Sequence, residues 1–439
     1  MKFTVKHLLQ TEVAPALGCT EPVAIALCAA AAASLLEGET IEGVEVQVDP
    51  NIYKNGYAVA IPGTSGLKGL DTAAALGALG GSPHKGLEVL ETVTPEIVKA
   101  AQQLIAAKGV RVGLLDNQRG LRIKARVQSG GHSATCEIKD FHNRIVGLQL
   151  DGRAIEDHPL LAQSAESSDK TDALQIAHWV AGLSLTQLMD LLDELDTDDL
   201  AFIEEGIQYN FRLAEYGLKH GSGLGIGKAL QRLVRQGLLK EDMITSAKIL
   251  ASGASDARMA GANLPAMSSA GSGNHGLTAT LPIWAIRNYV ACDRQTLLKA
   301  VALSHIITSY VKAHTGRLTA ICGCSVAAGA GATAGITYLM GGDIRHIAGA
   351  IKNLTEDLAG VICDGAKAGC SLKLATAAGS AVQAALFSLQ GVQVQPTDGI
   401  IAASPEKTMQ NVGTLSTQGM VAADHTILKI ILDKQFSHT

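Results

Sequence analysis

Two long stretches without a charged residue, 22–36 and 318–342, limit what this chain can become. Runs of this kind cannot face water along their whole length, so each must be buried on most sides. The first is shorter than the roughly 20 apolar residues that a bilayer span needs. The second is long enough, but it is rich in Gly, Ala, Ser and Thr and reads as a buried core helix. Aromatic residues make up only 3% of the chain, and glycines number 47. The core is therefore built from small side chains, which suits closely packed helices and self-association into a homo-oligomer. The formal net charge is −5, with basic and acidic residues interleaved. A nucleic-acid partner would call for a basic face, and none is visible. Gln10, Thr11 and Glu12 interrupt the apolar stretch that a secretory signal would require. A cytoplasmic protein with no membrane partner is expected.

Along the chain, residues 1–38 read as helix. Thr20 can cap its apolar part, Glu21 and Pro22 suit a first turn, and Gly38 ends it. Residues 41–48 and 121–127 alternate apolar and polar side chains and read as half-buried strands. Residues 133–138 and 144–150 read as further strands, with helices at 69–80 and 95–107. Helical periodicity dominates from about 160 onward. The acidic stretch 190–200 reads as a solvated helix end, because it shows no fixed ligand spacing. The predicted class is α+β. An N-terminal helical segment (1–40) packs on a catalytic domain, a small α/β unit with a mixed sheet spans 41–155, and a larger helical domain spans 156–439.

Several familiar motifs fail. Residues 221–228 resemble a phosphate loop, but Ser222 stands where the first Gly should be and Ala229 replaces Ser or Thr. Gly271-Ser-Gly-Asn-His-Gly276 fits G-x-G-x-x-G, yet no convincing strand precedes it, as a dinucleotide site requires. There is no zinc spacing with paired His and no G-x-S-x-G elbow.

The cysteines are more informative. Eight occur, at 19, 28, 136, 292, 322, 324, 363 and 370. A long chain without a secretory signal does not point to a disulfide framework. Two segments stand out, Ala320-Ile-Cys-Gly-Cys-Ser325 and Ile362-Cys-Asp-Gly-Ala-Lys-Ala-Gly-Cys370. Glycine beside cysteine lets a bulky inorganic group approach. Cys363 and Cys370, seven apart, share a face if helical. Cys322 and Cys324 diverge on a helix, so only one should reach a shared ligand. Three cysteines can hold three irons of a [4Fe–4S] cluster and leave the fourth iron open as a Lewis acid. Buried thiols packing as small hydrophobes are the alternative.

Five segments together resemble the L-cysteine desulfidase family: Gly18-Cys-Thr-Glu-Pro22, Asn51-Ile-Tyr-Lys-Asn-Gly56, Ser268-Ser-Ala-Gly-Ser-Gly-Asn-His-Gly276, Cys322-Gly-Cys324 and Cys363-Asp-Gly-Ala-Lys-Ala-Gly-Cys370. They run in order over nearly the whole chain. The C-terminal part more distantly resembles the α chain of iron–sulfur L-serine dehydratases. The resemblance implies a [4Fe–4S] cluster, no pyridoxal phosphate, and elimination of sulfide from L-cysteine to give pyruvate, ammonia and hydrogen sulfide. It makes Cys363 and Cys370 ligands. The third is Cys322 rather than Cys324, because it fits better counting back from Cys363 and forward to the helix at Gly335. The interval 363–370 is shorter than in the serine dehydratases, which counts against serine. An iron–sulfur serine dehydratase and a non-enzymatic iron–sulfur or redox-sensing protein are the rival readings.

Elimination needs a base for the Cα proton and a soft acid for the departing sulfur. Cys19 is the candidate base, because it precedes a helix whose N-terminus favours a thiolate, although Glu21 nearby works against this. The family resemblance implies the same role. A resting-state ligand is its rival role. Ser268, Ser269 and Asn274, in a loop with accessible backbone N–H groups, are candidates for the carboxylate of the small amino-acid substrate. Asn51, Lys54 and Asn55 are weaker ones. His275 is open as ligand, base or hydrogen-bonded loop residue. Arg317 and Lys373 flank the cysteine segments and can balance cluster charge. Cys28, Cys136 and Cys292 read as packing residues.

Overall fold

The computed structural model describes residues 3–36, 38–115, 120–161, 169–316 and 318–436. The fold is mostly helical, with a six-stranded mixed sheet, and the class is α+β.

The N-terminal segment is not one helix. Helix α1 (Val5–Glu12) ends at Val13, and a short strand β1 (Pro15–Leu17) follows. The chain turns at Gly18, whose φ of 73° only glycine takes easily, and α2 (Thr20–Ala33) begins there. Pro15 and Gly18 are the physical reason for the break. Cys19, not Thr20, is the N-cap residue.

The two helices belong to different cores. Val5, Leu8 and Leu9 of α1 pack with the C-terminal helices. α2, buried at every position except Ala33, packs in the core of the sheet. That sheet comprises β2 (Gly43–Val48), β3 (Val110–Leu114), β4 (Arg122–Ser129), β5 (His132–Lys139), β6 (Ile145–Leu150) and β7 (Arg153–Ile155). Their order is β3-β2-β4-β5-β6-β7. The β2–β3 pair is parallel and the others are antiparallel. Alternation in β4 turns Ile123, Ala125 and Val127 inward onto α2. Helices α3 (Pro50–Gly56), α4 (Leu70–Gly80) and α5 (Pro95–Ala106) complete this unit. α4 lies against α2 with no room for a side chain between backbones: a Cβ at Gly77 would sit 2.2 Å from the Ala26 carbonyl oxygen.

The helical region contains α6 (Thr197–His220), α7 (Met243–Met259), α8 (Gly273–Ile286), α9 (Arg294–Thr315), α10 (Ala327–Leu339), α11 (Ile344–Leu358), α12 (Cys370–Leu389) and α13 (Val421–Phe436). Asp196 caps α6, so the acidic stretch around it is a helix start, with Lys6 of α1 bound to Asp196 at 2.8 Å. α10 is the central helix, enclosed by α8, α9, α11 and α12. A Cβ at Gly331 would lie 2.3 Å from the Ser304 carbonyl oxygen of α9, and one at Gly335 2.5 Å from that of Ala300. The uncharged run 318–342 is thus a loop followed by a buried helix. Among the described residues, one helix, α12, is long and apolar enough to cross a bilayer, and 56% of its apolar window is buried inside the protein.

A small antiparallel pair joins the two regions. β1 pairs with β8 (Pro265–Met267), and Ser268 donates its hydroxyl to the Ala14 carbonyl at 2.7 Å. A strand therefore does precede the G-x-G-x-x-G segment, and α8 follows it. It pairs antiparallel with a strand some 250 residues upstream, so it is no βαβ dinucleotide unit.

Candidate active site

The two cysteine segments lie side by side as a single antiparallel bridge between Ile321 and Ile362. Cys322 N–H donates to the Val361 carbonyl at 2.9 Å, and Cys363 N–H donates to the Ala320 carbonyl at 2.6 Å. This short ladder brings Cys322 and Cys363 together. Cys322, Cys324 and Cys363 are not helical, and only Cys370 stands at a helix start, which corrects the helical-face reading of both spacings. Cys363 leads into a loop that turns at Gly365, with φ of 93°, and Cys370 opens α12. A Cβ at Gly365 would lie 2.0 Å from the Lys54 carbonyl oxygen, so the loop rests directly on the end of α3.

Because 322–324 is a turn, both of its cysteines reach one cavity. Cys322, Cys324, Cys363 and Cys370 line it together with Cys19, Glu21, Asn55, Arg258, Asn274, His275 and Lys373. Its empty space is about 820 Å³ including the open mouth. The thiol of Cys324, with Ser325, stabilises Cys322 as a thiolate and brings its pKa down to about 5. Cys324 is pushed well up in return. Burial raises Cys363, against the pull of Lys54, and raises Cys370 to about 11. Of the pair in the turn, Cys322 is shifted toward the thiolate and Cys324 away from it. Lys373 donates to the Ile362 carbonyl at 2.7 Å and pairs with Asp364 at 2.5 Å. Lys54, 1% exposed, pairs with Asp424 of α13. Arg317 lies outside the described residues.

Cys19, which packs with Cys370 in the same cavity, is the N-cap of α2, where the helix end favours a thiolate by about 0.3–2 kcal/mol. Burial works the other way and is larger, several kcal/mol for an ion taken out of water. Burial, with the adjacent Glu21 charge, holds the Cys19 pKa well above its ordinary value. Cys19 is therefore a thiol at rest, which corrects the lowered pKa expected from sequence. Its Sγ donates to Glu21 Oε2 at 2.8 Å. Thr20 Oγ1 donates to the same oxygen at 3.2 Å, and Asn55 Nδ2 to Oε1 at 3.2 Å. Burial pushes Glu21 up, but the charge of His142, the Cys19 thiol and Arg258 outweigh it and keep Glu21 ionised.

Other expected contacts go elsewhere. Ser268 is committed to Ala14, and Ser269 Oγ lies 2.9 Å from His305 Nδ1, so neither hydroxyl lines the cavity. Asn51 lines a neighbouring cleft, while its backbone N–H caps on Asp49. Asn274 does line the cavity, where its Oδ1 accepts from Arg258 Nη1 at 3.1 Å. His275 Nδ1 is 3.2 Å from the Ser269 carbonyl oxygen. Burial and the charge of Lys312 lower its pKa to about 3, so it is neutral. Its Nε2 faces Gly323, where a Cβ would lie only 2.3 Å away. The glycine between Cys322 and Cys324 is thus required by the histidine beneath it. Arg258 had no motif signal for its role, since one of its partners lies 240 residues away, whereas Glu21 stands in the Gly18–Pro22 motif beside its partner Cys19.

Residues 84–429 match the family model for the serine dehydratase alpha chain. All four cavity cysteines of the C-terminal region lie within that span, and Cys19 and Glu21 lie before it. A UPF0597 protein of Desulfatibacillum aliphaticivorans is 63% identical over 438 residues, covering 100% of both chains. The chain belongs to the UPF0597 family. A UPF0597 protein of Desulfotalea psychrophila is 61% identical over 434 residues, with 99% of each chain covered. One of Clostridioides difficile is 44% identical over 428 residues, covering 97% of this chain and 99% of its own. The UPF0597 chain is thereby related to the serine dehydratase alpha chain, and it resembles the L-cysteine desulfidases only through the segments described above.

Proposed function

We propose that this UPF0597 protein is an L-cysteine desulfidase. It would convert L-cysteine and water to pyruvate, ammonia and hydrogen sulfide by β-elimination, without pyridoxal phosphate. One observation carries the reading: four cysteine thiols of the C-terminal region and a hydrogen-bonded Cys19–Glu21 pair line a single cavity.

The donor set suits a [4Fe–4S] cluster. Thiolates are its usual ligands, and Lys54 and Lys373 offset negative charge beside Cys363. Among the described residues no three His, Cys, Asp or Glu side chains converge on one metal-ion position. A cluster asks instead for one thiolate per iron at separate corners. Cys322, Cys363 and Cys370 would hold it, with Cys324 hydrogen-bonded to Cys322. When bound, an iron without a protein thiolate supplies a soft Lewis acid for the substrate sulfur.

The rest falls to this chain's own residues. Glu21 Oε2 takes the Cys19 Sγ proton along the existing hydrogen bond, a transfer that is uphill at rest and that the Arg258 charge eases by favouring the thiolate. The Cys19 thiolate then accepts the Cα proton, the C–H electron pair becomes the Cα=Cβ bond, and the Cβ–S bond breaks. The proton on Glu21 returns to the leaving sulfur. The released aminoacrylate tautomerises and hydrolyses to pyruvate and ammonia. Thr20 and Asn55 hold the Glu21 carboxylate in place throughout.

Serine is the second candidate substrate, favoured by the match to the serine dehydratase alpha chain. Pyruvate formation from L-cysteine and from L-serine, measured anaerobically on the same reconstituted sample, decides between them. A higher kcat/KM for cysteine, with sulfide release, is expected. A higher value for serine would replace the desulfidase reading with a dehydratase.

A further inference from the structure

Arg258, the penultimate residue of α7, is 3% exposed and lines the reaction cavity. Its Nη2 donates to the Gly18 carbonyl at 2.5 Å and its Nη1 to Asn274 Oδ1 at 3.1 Å. Its Nε is buried with no hydrogen-bond partner. Among the described residues, no carboxylate lies within ion-pair distance of the guanidinium. A buried cation that touches no anion is costly, and proteins meet that cost with a paired charge.

The surroundings show that the space around Arg258 is built for it. Gly273 opens α8, and a Cβ there would lie 2.4 Å from Arg258 Nε. The second glycine of the G-x-G-x-x-G segment therefore makes room for a guanidinium, not for a pyrophosphate. Glu21 lies in the same cavity and feels the Arg258 charge, but its oxygens are occupied by Cys19, Thr20 and Asn55. The hydroxyls of Ser268 and Ser269 are taken by the Ala14 carbonyl and His305 and do not line the cavity.

We infer that Arg258 is the receptor for the substrate's α-carboxylate, and that the cavity takes only amino acids whose carboxylate is free. Guanidinium is suited to this, since its planar fork matches a carboxylate and stays charged when buried. Asn274 and the Gly18 carbonyl fix the plane of that fork. The Gly18 contact also ties the carboxylate receptor to Cys19, so that binding and proton abstraction share one backbone junction. This inference rests on the proposed amino-acid substrate.

The test uses the cluster-loaded protein and L-alanine, which has no β-leaving group and is not consumed. Calorimetric titration compares L-alanine with L-alaninamide, which keeps the amine and loses the carboxylate charge. The wild type should bind L-alanine roughly tenfold to a hundredfold more tightly than the amide, as expected for a charge-assisted pair. Arg258→Met should abolish that preference with iron content unchanged, and Arg258→Lys should restore part of it. A general disturbance of the fold would weaken both ligands and leave their ratio intact. An unchanged ratio in Arg258→Met overturns the inference, while cysteine turnover by the wild type would leave the desulfidase reading standing. A wild type that binds neither L-alanine nor L-cysteine overturns both.

Discussion

Two groups of cysteines in this protein are similarly hidden from water and have opposite surroundings. Cys28 of α2 and Cys136 of β5 meet in the core of the sheet unit, both 0% exposed. Cys28 Sγ donates to the Cys136 carbonyl at 3.2 Å, and the neighbours are Ala, Val and Ile. Burial raises the Cys136 thiol well above its ordinary value, and no cation opposes this. Cys322, Cys363 and Cys370 are buried or half-buried too, but they border a cavity and share it with Lys373. Burial alone therefore does not separate the two groups; their surroundings do. An inert thiol is enclosed by small apolar groups. A ligand thiol needs a backbone that holds it at the edge of empty space, and charge nearby to support the thiolate.

The sharpest way to break this contrast is to remove a proposed ligand. Cys363→Ser should lose bound iron and all measurable turnover, read by anaerobic iron count and pyruvate assay. Next in size, Cys19→Ser and Glu21→Gln should each keep the iron and lower kcat by roughly 10²–10⁴-fold, the usual worth of a positioned acid–base group. Iron lost from Cys19→Ser would make Cys19 a ligand instead.

A second difference between the regions appears in acid. The helical region buries His305, whose pKa desolvation lowers to about 4. Between the unfolded value near 6.5 and that folded value, the unfolded chain takes up a proton that the folded chain refuses. Stability due to His305 is thus present above about 6.5 and is lost as pH falls to about 4, on the order of 3 kcal/mol in all. Urea midpoints at pH 7 and pH 5 should differ for the wild type, and less so for His305→Asn. Smaller still, Gly323→Ala should destabilise by about 1–3 kcal/mol as the added carbon meets His275. It should also reduce iron loading, since Cys322 and Cys324 flank it. Cys28→Ala should lower stability by about 1 kcal/mol and leave iron and turnover intact.

Much of the fold is legible in the sequence because it repeats locally. The alternation in 121–127 and 133–138 marks β4 and β5, and the small-residue runs mark α2 and α10. What escapes reading is held by distant partners. β1 and β8 are three residues each, too short for a periodic signal, and pair only with one another. The helix predicted over 1–38 is broken by Pro15 and Gly18, within a stretch whose apolar content alone suggested continuity. At the site, Cys19, Asn55, Asn274 and the C-terminal cysteines were readable from motifs, and all line the cavity. The acidity of Cys19 was not readable, because it depends on burial and on the exact position of Glu21. Arg258 stands in no motif, and its closest polar contacts, Asn274 and Gly18, come from two other parts of the chain.

The most direct test of the whole reading is an anaerobic count of iron and acid-labile sulfide together with cysteine turnover, on one sample of wild type and one of Cys19→Ser. Both should contain iron and sulfide in the ratio of a [4Fe–4S] cluster, and only the wild type should release sulfide and pyruvate. Absence of iron from the wild type, or equal turnover by the two, would contradict a cluster-dependent desulfidase that uses Cys19 as its base.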